Sequence, residues 1–141
     1  MLNKAIRIAA EAHAGQLDKA NEPYILHPLR VMLCPELSGE TERICAVLHD
    51  LIEDTDWTPE QLRAEGFSEQ VLAALDCVTK REGEAYEDFI LRAAQNPIAR
   101  QVKIADLLDN SNLARLKNPT EWDLRRQDKY LRALSRLRQW V

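Results

Sequence analysis

The chain has 141 residues, of which 45% are hydrophobic and 30% are charged, and its formal net charge at pH 7 is −4. This length predicts one domain with one core. No apolar run approaches the roughly 18 residues of a membrane span. Residues 1–13 read as an amphipathic helix carrying Lys4, Arg7 and Glu11 and not as a signal peptide. The acidic balance, with no basic stripe, argues against a nucleic-acid polymer as partner. We therefore expect a cytoplasmic protein that binds neither a membrane nor a nucleic acid.

Helical signals dominate the sequence, and strand signals are nearly absent. In chain order the predicted helices cover residues 2–13, 28–37, 40–52, 59–66, 68–79, 86–95, 97–116 and 119–139. Prolines at the predicted starts, such as Pro28, Pro59 and Pro97, suit the first helical turn, where a backbone N–H is not needed. The loops are short and the chain has no repeats. The predicted fold is all-α, a compact single-domain helical bundle.

Three cysteines lie far apart, at Cys34, Cys45 and Cys77, and none belongs to a CxxC motif. Each occupies an apolar position of a predicted helix. Buried free thiols are therefore expected, and neither a disulfide nor a zinc site is.

The segment 44–55 joins an apolar helical stripe to a polar cluster. The stripe consists of Ile44, Val47, Leu48, Leu51 and Ile52, which recur at helical spacing and therefore face a core. Next to it stand His49, Asp50, Glu53 and Asp54. An imidazole and a carboxylate beside a core are costly to bury unless they are hydrogen-bonded or bound to a cation. This segment therefore predicts half of a metal site.

Two further polar residues next to apolar helix can complete such a site. They are His27, before Pro28, and Asp106, within the predicted helix 97–116. With His49 and Asp50 they give two imidazoles and two carboxylates, a donor set that suits Mn, Fe or Zn better than Mg. A metal so held can lower the pKa of a bound water and polarise a phosphoryl oxygen.

Two acidic residues are candidates for catalysis beside this site. Glu53, one turn after His49, can orient the water or take its proton, and Asp54 can assist or hold a ligand histidine.

Each of these residues also has a simpler interpretation. His27 can be a helix-entry residue, and a His-Asp dipeptide is common by chance. Asp106 can cap a helix or pair with Arg115 or Lys103, and residues 53–54 can simply begin an acidic turn. Periodicity alone leaves both interpretations open.

Five segments nevertheless occur in a specific combination. They are Ala-His-Ala-Gly-Gln at 12–16, Pro-Tyr-Ile-Leu-His-Pro at 23–28, Leu-His-Asp-Leu-Ile-Glu-Asp-Thr at 48–55, Val-Thr-Lys at 78–80, and Val-Lys-Ile-Ala-Asp at 102–106 followed by Asn110. In this order they resemble the HD superfamily of metal-dependent phosphohydrolases, and within it the hydrolase domain of RelA/SpoT-type enzymes and their small single-domain relatives.

The resemblance implies one HD-type domain over residues 1–141 and an Mn²⁺ ion held by His27, His49, Asp50 and Asp106. It also places Glu53 and Asp54 near the attacking water. The implied substrate is guanosine tetra- or pentaphosphate, which loses its 3′-pyrophosphate. Asn110 matches an asparagine that reaches this nucleotide, and Lys19 matches the lysine of a basic pair in the loop before the tyrosine. The cations expected to take phosphate are Lys19, Lys80, Arg92 and Lys103.

Three positions depart from the family pattern. Asp18 stands where the relatives have an arginine that packs on guanine, Leu107 where they have a basic residue, and Asp109 where they have an aromatic residue or an imidazole. The predicted function is therefore a guanosine-3′,5′-bis(diphosphate) 3′-pyrophosphohydrolase-like activity. The alternatives are an HD phosphatase or phosphodiesterase for another phosphorylated metabolite, and a nucleotide sensor without turnover.

Overall fold

The computed structural model describes residues 1–140. Its helices are α1 (Leu2–Ala12), α2 (Leu26–Met32), α3 (Glu40–Leu48), α4 (Leu51–Asp54), α5 (Pro59–Ala64), α6 (Glu69–Val78), α7 (Tyr86–Ala94), α8 (Pro97–Asn110) and α9 (Glu121–Arg138), with a short 3-10 helix at Leu113–Arg115. An isolated bridge between Leu17 and Pro23 is the only strand-type pairing within these residues. The all-α prediction is confirmed. No helix of residues 1–140 combines the length and the apolar character needed to cross a membrane.

Side-chain caps set the starts of several helices. Thr58 and Gln61 form a capping box ahead of α5, and the Ser68 hydroxyl accepts a hydrogen bond from the first turn of α6. The Asn96 side chain accepts two backbone N–H groups at the start of α8. These three starts agree with the predictions, whereas the last helix starts two residues later than predicted because Thr120 caps it.

Two helices end earlier than predicted. Helix α2 ends at Met32 and not at residue 37, because Pro35 has no N–H and restricts the residue before it. Helix α8 ends at Asn110 and not at residue 116, because the Asn112 side chain caps the 3-10 helix that follows. Both predicted ends are wrong, and in each case a local signal beyond the true end explains the difference.

The predicted continuous helix over residues 40–52 is also wrong. Helix α3 ends at Leu48, a turn holds His49 and Asp50, and α4 begins at Leu51. Asp50 has φ −99° and ψ 0°, outside helical geometry. The backbone carbonyl of Ala46 accepts a hydrogen bond from the backbone N–H of His49. The same carbonyl oxygen lies 2.6 Å from Nδ1 of the His49 ring. The break changes the direction of two successive side chains at the end of a buried helix.

Two clusters of buried residues form the core. The larger one contains residues from α1 to α6 and from the first half of α8, among them Cys45, Val47, Leu75 and Val102. The smaller cluster joins α7 and α9 to the second half of α8; its members are Ile90, Ala94, Leu107, Ala133, Leu134 and Leu137. Helix α8 therefore belongs to both clusters.

All three cysteines are free thiols, as predicted. Only Cys45 is buried, and burial raises the pKa of its thiol to about 12. Cys34 and Cys77 are partly exposed, so the prediction that they are buried is wrong.

Candidate metal centre

Four side chains from three parts of the chain meet at one point. The Oδ1 atom of Asp106 on α8 lies 2.9 Å from Nε2 of His27 on α2 and 3.2 Å from Nε2 of His49 after α3. The Oδ2 atom of Asp50 lies 3.1 Å from the same His49 nitrogen and 3.6 Å from the His27 nitrogen. His27, His49 and Asp106 are each less than 5% exposed, so this polar group sits inside the bundle.

Both imidazoles use their other ring nitrogen elsewhere. The Nδ1 atom of His27 lies 2.7 Å from Oδ2 of Asp109, and the Nδ1 atom of His49 lies 2.6 Å from the carbonyl oxygen of Ala46. When Nδ1 donates its hydrogen, Nε2 is left with the lone pair that a metal needs. The two Nε2 atoms face the shared centre.

The carboxylates are also held from behind. The Tyr24 hydroxyl donates a hydrogen bond of 2.5 Å to Oδ2 of Asp50. Lys103 donates one of 2.8 Å to Oδ2 of Asp106, and the Asn110 amide donates one of 3.0 Å to its Oδ1. The pairing of Asp106 with Lys103, an alternative left open by the sequence, therefore exists beside its contacts with the histidines.

The electrostatics of the cluster favour positive charge between the carboxylates. Burial lowers the pKa of His49, but the nearby Asp50 and Asp106 outweigh it and hold this pKa well above its ordinary value. Burial opposes ionisation of Asp106, yet Lys103 and His49 keep its pKa well below the usual range. The pKa of Asp50 falls to about 2, mainly through His49 acting against burial. A divalent cation can replace the imidazole protons in this role.

The donor set fits such a cation. Ligand atoms of His27, His49 and Asp50 lie within 4.8 Å of one another, and Asp106 contacts both imidazoles. Two imidazole nitrogens and two carboxylate oxygens suit a divalent transition metal. This group can therefore hold a divalent metal ion.

The two predicted catalytic carboxylates lie on α4, directly after the donors. Glu53 accepts a hydrogen bond of 2.9 Å from the backbone N–H of Lys80. Burial, Asp50 and Glu53 together raise the pKa of Asp54 to about 6. The Asp54 backbone carbonyl accepts a bond of 3.1 Å from Gln16, whose amide oxygen lies 2.8 Å from Nδ1 of buried His13. No hydrogen bond within residues 1–140 joins the Asp54 carboxylate to a donor histidine; Asp109 holds His27 instead.

A cavity of about 430 Å³ opens beside the cluster. Tyr24, His27 and Asn110 belong to both, so a ligand in the cavity can reach the donors. The charged side chains lining it are four cations, Lys19, Arg30, Arg115 and Arg126, and two carboxylates, Asp18 and Asp123. The cavity is therefore predominantly cationic.

The predicted substrate-binding residues occupy different places. Lys19 and Asn110 line the cavity, whereas Lys103 is largely buried behind Asp106. Lys80 is exposed at the start of the loop after α6. Arg92 is bound to both carboxylate oxygens of Glu84, at 2.9 and 3.0 Å. The role of all five in binding substrate stays a prediction.

The departures from the family pattern have structural counterparts. The Asp18 carboxylate accepts hydrogen bonds from the backbone N–H groups of Ala20 and Glu22, at 2.8 and 3.0 Å, and so shapes its own loop. Leu107 is fully buried in the smaller core cluster. Asp109 binds His27, Arg30 and Arg115.

Sequence reasoning missed four residues of this region. It gave no role at the site to Tyr24, Arg30 or Asp109, and it considered Arg115 only as a partner of Asp106. Helical spacing could have identified two of them. Arg30 follows His27 by three positions, and Asp109 follows Asp106 by three, so each pair lies on one helix face.

Comparison with known proteins agrees with this geometry. A family model described as "HD domain" matches residues 5–107. The chain is 40% identical over 119 residues to a guanosine-3′,5′-bis(diphosphate) 3′-pyrophosphohydrolase of Aquifex aeolicus (strain VF5), covering 77% of this chain and 17% of that protein. It is 44% identical over 116 residues to a protein of the same name from Haemophilus influenzae (strain ATCC 51907 / DSM 11121 / KW20 / Rd), covering 73% and 17%. The chain thus spans about a sixth of the length of these curated relatives.

A solved structure is similar over nearly the whole chain. It is described as a metazoan ortholog of SpoT that hydrolyzes ppGpp; the TM-score is 0.79 at 26% identity, with 99% of this chain and 86% of that chain covered. The matched family model spans most of the chain and includes all four donor residues. The chain belongs to the HD domain family.

Proposed function

We propose that this chain is a metal-dependent phosphohydrolase that removes the 3′-pyrophosphate from guanosine-3′,5′-bis(diphosphate). One observation carries the proposal: four donors from α2, α8 and the turn after α3 converge beside a cationic cavity. The two relatives support it because they carry the name of this activity, and the solved structure supports it because it is described as hydrolyzing ppGpp. The whole chain, residues 1–141, is proposed to act as one HD-type domain.

The proposed ligands are His27, His49, Asp50 and Asp106, and the proposed metal is Mn²⁺. Two imidazoles are softer donors than Mg²⁺ usually takes, which favours manganese or another transition ion. When bound, a divalent metal lowers the pKa of a water and polarises a phosphoryl oxygen. Asp109 and the Ala46 carbonyl would keep both imidazoles oriented toward that metal.

Glu53 and Asp54 are the proposed groups for moving a proton of the attacking water. The raised pKa of Asp54, about 6, suits a group that gains and releases a proton near neutral pH. Glu53, fixed by the Lys80 backbone, would orient the water. Lys19 and Asn110 are proposed to contact the nucleotide, since both line the cavity.

A second candidate function follows from Asp18. An aspartate has no guanidinium plane to pack on a guanine base, and its carboxylate accepts hydrogen bonds from its own loop instead. A phosphatase or phosphodiesterase for another phosphorylated metabolite would use the same metal and tolerate this difference. Turnover of guanosine and adenosine polyphosphates, compared as kcat/KM under identical conditions, separates the two functions.

The direct test is release of pyrophosphate from guanosine-3′,5′-bis(diphosphate) by the purified chain with and without added Mn²⁺. We expect manganese-dependent turnover, reduced about a thousandfold or more in Asp50→Asn, since a metal contributes several kcal/mol to transition-state stabilisation. Asp128→Asn, at an exposed ion pair with Arg132, is the matched control and should retain full activity. Folding is checked by circular dichroism.

Two outcomes would contradict the proposal. If Mn²⁺ binds but no guanosine or adenosine polyphosphate releases phosphate or pyrophosphate, the hydrolase proposal is wrong, and nucleotide binding without turnover would favour the sensor. If Asp50→Asn retains full activity while folded, the proposed ligand set is wrong.

A further inference from the structure

His13 is the histidine that the proposed metal site does not use. It directly follows α1 and is 1% exposed. Its ring Nδ1 lies 2.8 Å from the amide oxygen of Gln16, whereas its Nε2 is buried and has no hydrogen-bond partner within residues 1–140. A buried polar atom without a partner costs free energy, and an apolar side chain of similar volume would avoid this cost. Packing alone therefore does not explain a histidine at this position.

A tight turn brings Gln16 next to His13. The Gln16 backbone N–H donates a hydrogen bond of 3.1 Å to the His13 carbonyl, and Gly15 between them has φ +86°. Glycine adopts this left-handed backbone conformation without steric cost. The contact between the ring and the amide is therefore built by local geometry.

The group at the far end of Gln16 determines the direction of both hydrogen bonds. The backbone carbonyl of Asp54 can only accept, so the amide nitrogen of Gln16, 3.1 Å away, is the donor. The amide oxygen of Gln16 consequently faces His13 and accepts the hydrogen of its Nδ1. His13 thus donates to Gln16, and Gln16 donates to Asp54, which lies 38 positions further along the chain.

These hydrogen bonds end on a helix that needs support from outside. Helix α4 has four residues, Leu51–Asp54, and so short a helix is not stable by itself. The carbonyls of its last turn have no partner within the helix, and Gln16 supplies one for Asp54. The Asp54 carboxylate makes no hydrogen bond within residues 1–140. Its position therefore depends on the backbone that Gln16 holds.

His13 also packs toward the metal donors. Its ring centroid lies 5.3 Å from that of Tyr24, whose hydroxyl binds Asp50. This contact is ring packing without a hydrogen bond, so another side chain of similar volume can replace it. The two contacts of His13 therefore predict different losses: catalytic rate if His13 acts on Asp54, and metal affinity if it acts on Asp50.

We propose that His13 is a positioning residue for Asp54 and that it acts through the Gln16 amide on the end of α4. Neither His13 nor Gln16 lines the cavity. Both instead hold the backbone from which the Asp54 carboxylate projects. This inference rests on the proposed hydrolase function, in which Asp54 moves a proton of the attacking water.

The first experiment separates the hydrogen-bond donor from the volume at position 13. His13→Leu keeps most of the volume and removes the donor, whereas His13→Asn loses volume and keeps an N–H at the same distance from Cβ. In His13→Leu, kcat for guanosine-3′,5′-bis(diphosphate) should fall about tenfold to a hundredfold, the cost of a misplaced catalytic group. KM and Mn²⁺ affinity should change less than about twofold.

His13→Asn provides the rescue. Its kcat should exceed that of His13→Leu, although the cavity it leaves makes it the less stable variant in urea unfolding. A higher kcat in the less stable protein is not expected from a purely structural role of His13. A kcat lower in His13→Asn than in His13→Leu would show that volume matters and would overturn the inference.

The second experiment tests the bridge. Gln16→Ala should lower kcat by about the same factor as His13→Leu, and the double variant should lose no more than either single variant, because all three break one connection. Gln70→Ala, at an exposed glutamine of α6, is the matched control and should retain natural kcat. If His13→Leu fails to fold, Gln16→Ala takes its place, since Gln16 is partly exposed.

The third experiment measures the anchoring of α4 without turnover. The backbone N–H groups of Asp54 and Thr55 donate to the carbonyls of Asp50 and Leu51, so their hydrogen exchange reports the opening of α4. Exchange at both should be about tenfold faster in His13→Leu and in Gln16→Ala, because one hydrogen bond that holds the helix is lost. Exchange at Leu72 of α6 should keep its natural rate.

The outcomes separate this inference from the proposed function. Faster exchange in α4 of His13→Leu, in a chain without hydrolytic activity, would keep the anchor of Asp54 and reject the hydrolase. Unchanged kcat in folded His13→Leu, in a chain that hydrolyses the nucleotide, would overturn the inference and leave the hydrolase standing. A loss of Mn²⁺ affinity as large as the loss of kcat would also overturn it, because His13 would then act on Asp50 through Tyr24.

Discussion

Residues 5–107 and residues 108–140 contribute different parts of the site. The first region, which the HD domain model matches, supplies His27, His49, Asp50 and Asp106. The second region supplies cavity-lining residues; these are Asn110, Asn112, Leu113, Arg115, Leu116, Asp123, Arg126 and Tyr130. The first region also lines part of the cavity, through residues 17–30. The comparison indicates that the matched part of the chain builds the metal site and one side of the cavity, whereas the segment beyond it supplies the other side.

The two regions also differ in how tightly their polar groups are held. His27, His49 and Asp106 are buried among carboxylate, amide and carbonyl partners, an arrangement that fixes side-chain positions. Arg115 and Arg126 are partly exposed on the 3-10 helix and α9. Asp109 is the exception, because it follows the matched region and yet binds His27. If the two regions act independently, a substitution in residues 108–140 should change ligand binding without changing metal binding. Asp109 is the expected exception.

The largest effect is expected for a substitution in α9, which tests whether this helix supports the cavity without supporting the metal site. Leu137 is 1% exposed in the smaller core cluster, so Leu137→Ala should lower the free energy of unfolding by about 2–5 kcal/mol. Below its Tm the variant should bind Mn²⁺ with nearly natural affinity but show a raised KM, because α9 carries Arg126 and Tyr130 of the cavity. Urea unfolding, calorimetry and steady-state kinetics measure the three quantities.

The same helix offers the control for this prediction. Leu131→Ala changes a leucine that is 47% exposed, and its free energy of unfolding should change by no more than about 0.5 kcal/mol. Equal losses in the two variants would show that α9 is not anchored by Leu137. A loss of Mn²⁺ affinity in folded Leu137→Ala would show that the two regions are not separable.

A smaller effect is expected where the division fails, at Asp109. Asp109→Asn keeps the shape of the side chain but loses the charge and one acceptor, so it cannot accept hydrogen bonds from His27 and from both arginines. Removal of a partner behind a metal-binding histidine costs about tenfold to a hundredfold in metal affinity. Calorimetric titration with Mn²⁺ measures this loss. Asp128→Asn should bind Mn²⁺ normally, and an equal affinity in both variants would return Asp109 to a purely structural role.

Local signals allowed much of the architecture to be predicted from the sequence. Thr58, Ser68 and Asn96 cap their helices through contacts with residues two or three positions away, which a sequence displays directly. The convergence of the four donors was predicted for a related reason, since each stands beside an apolar helical stripe that must face the core. Their role as metal ligands stays a proposal.

The features that could not be predicted from the sequence depend on tertiary contacts. The contact between His27 and Asp109 spans 82 positions, so no local pattern pairs them. The break after Leu48 replaces helical hydrogen bonds by a contact of the His49 ring with a carbonyl, which periodicity does not reveal. Arg92 was predicted to bind substrate from its charge alone, and this role stays a prediction; its pairing with Glu84 in the preceding loop could not be seen in the sequence.

The Glu84–Arg92 pair gives the smallest expected effect, within the region that the family model matches. Arg92 binds both Glu84 oxygens and the carbonyls of Asp76 and Thr79, and so ties the loop after α6 to α7. Arg92 lowers the pKa of Glu84 from 4.5 to about 2, against the effect of burial. Because the folded-state pKa is depressed, the stabilisation is complete above pH 4.5 and is lost as the pH falls through about 2. The urea midpoint of the natural chain should therefore exceed that of Glu84→Gln at pH 7, and the difference should shrink between pH 4.5 and pH 2.

Glu82→Gln, in the same loop and without an ion pair within residues 1–140, should match the natural chain throughout. A difference between Glu84→Gln and the natural chain that does not change with pH would mean that packing, and not charge, holds this loop.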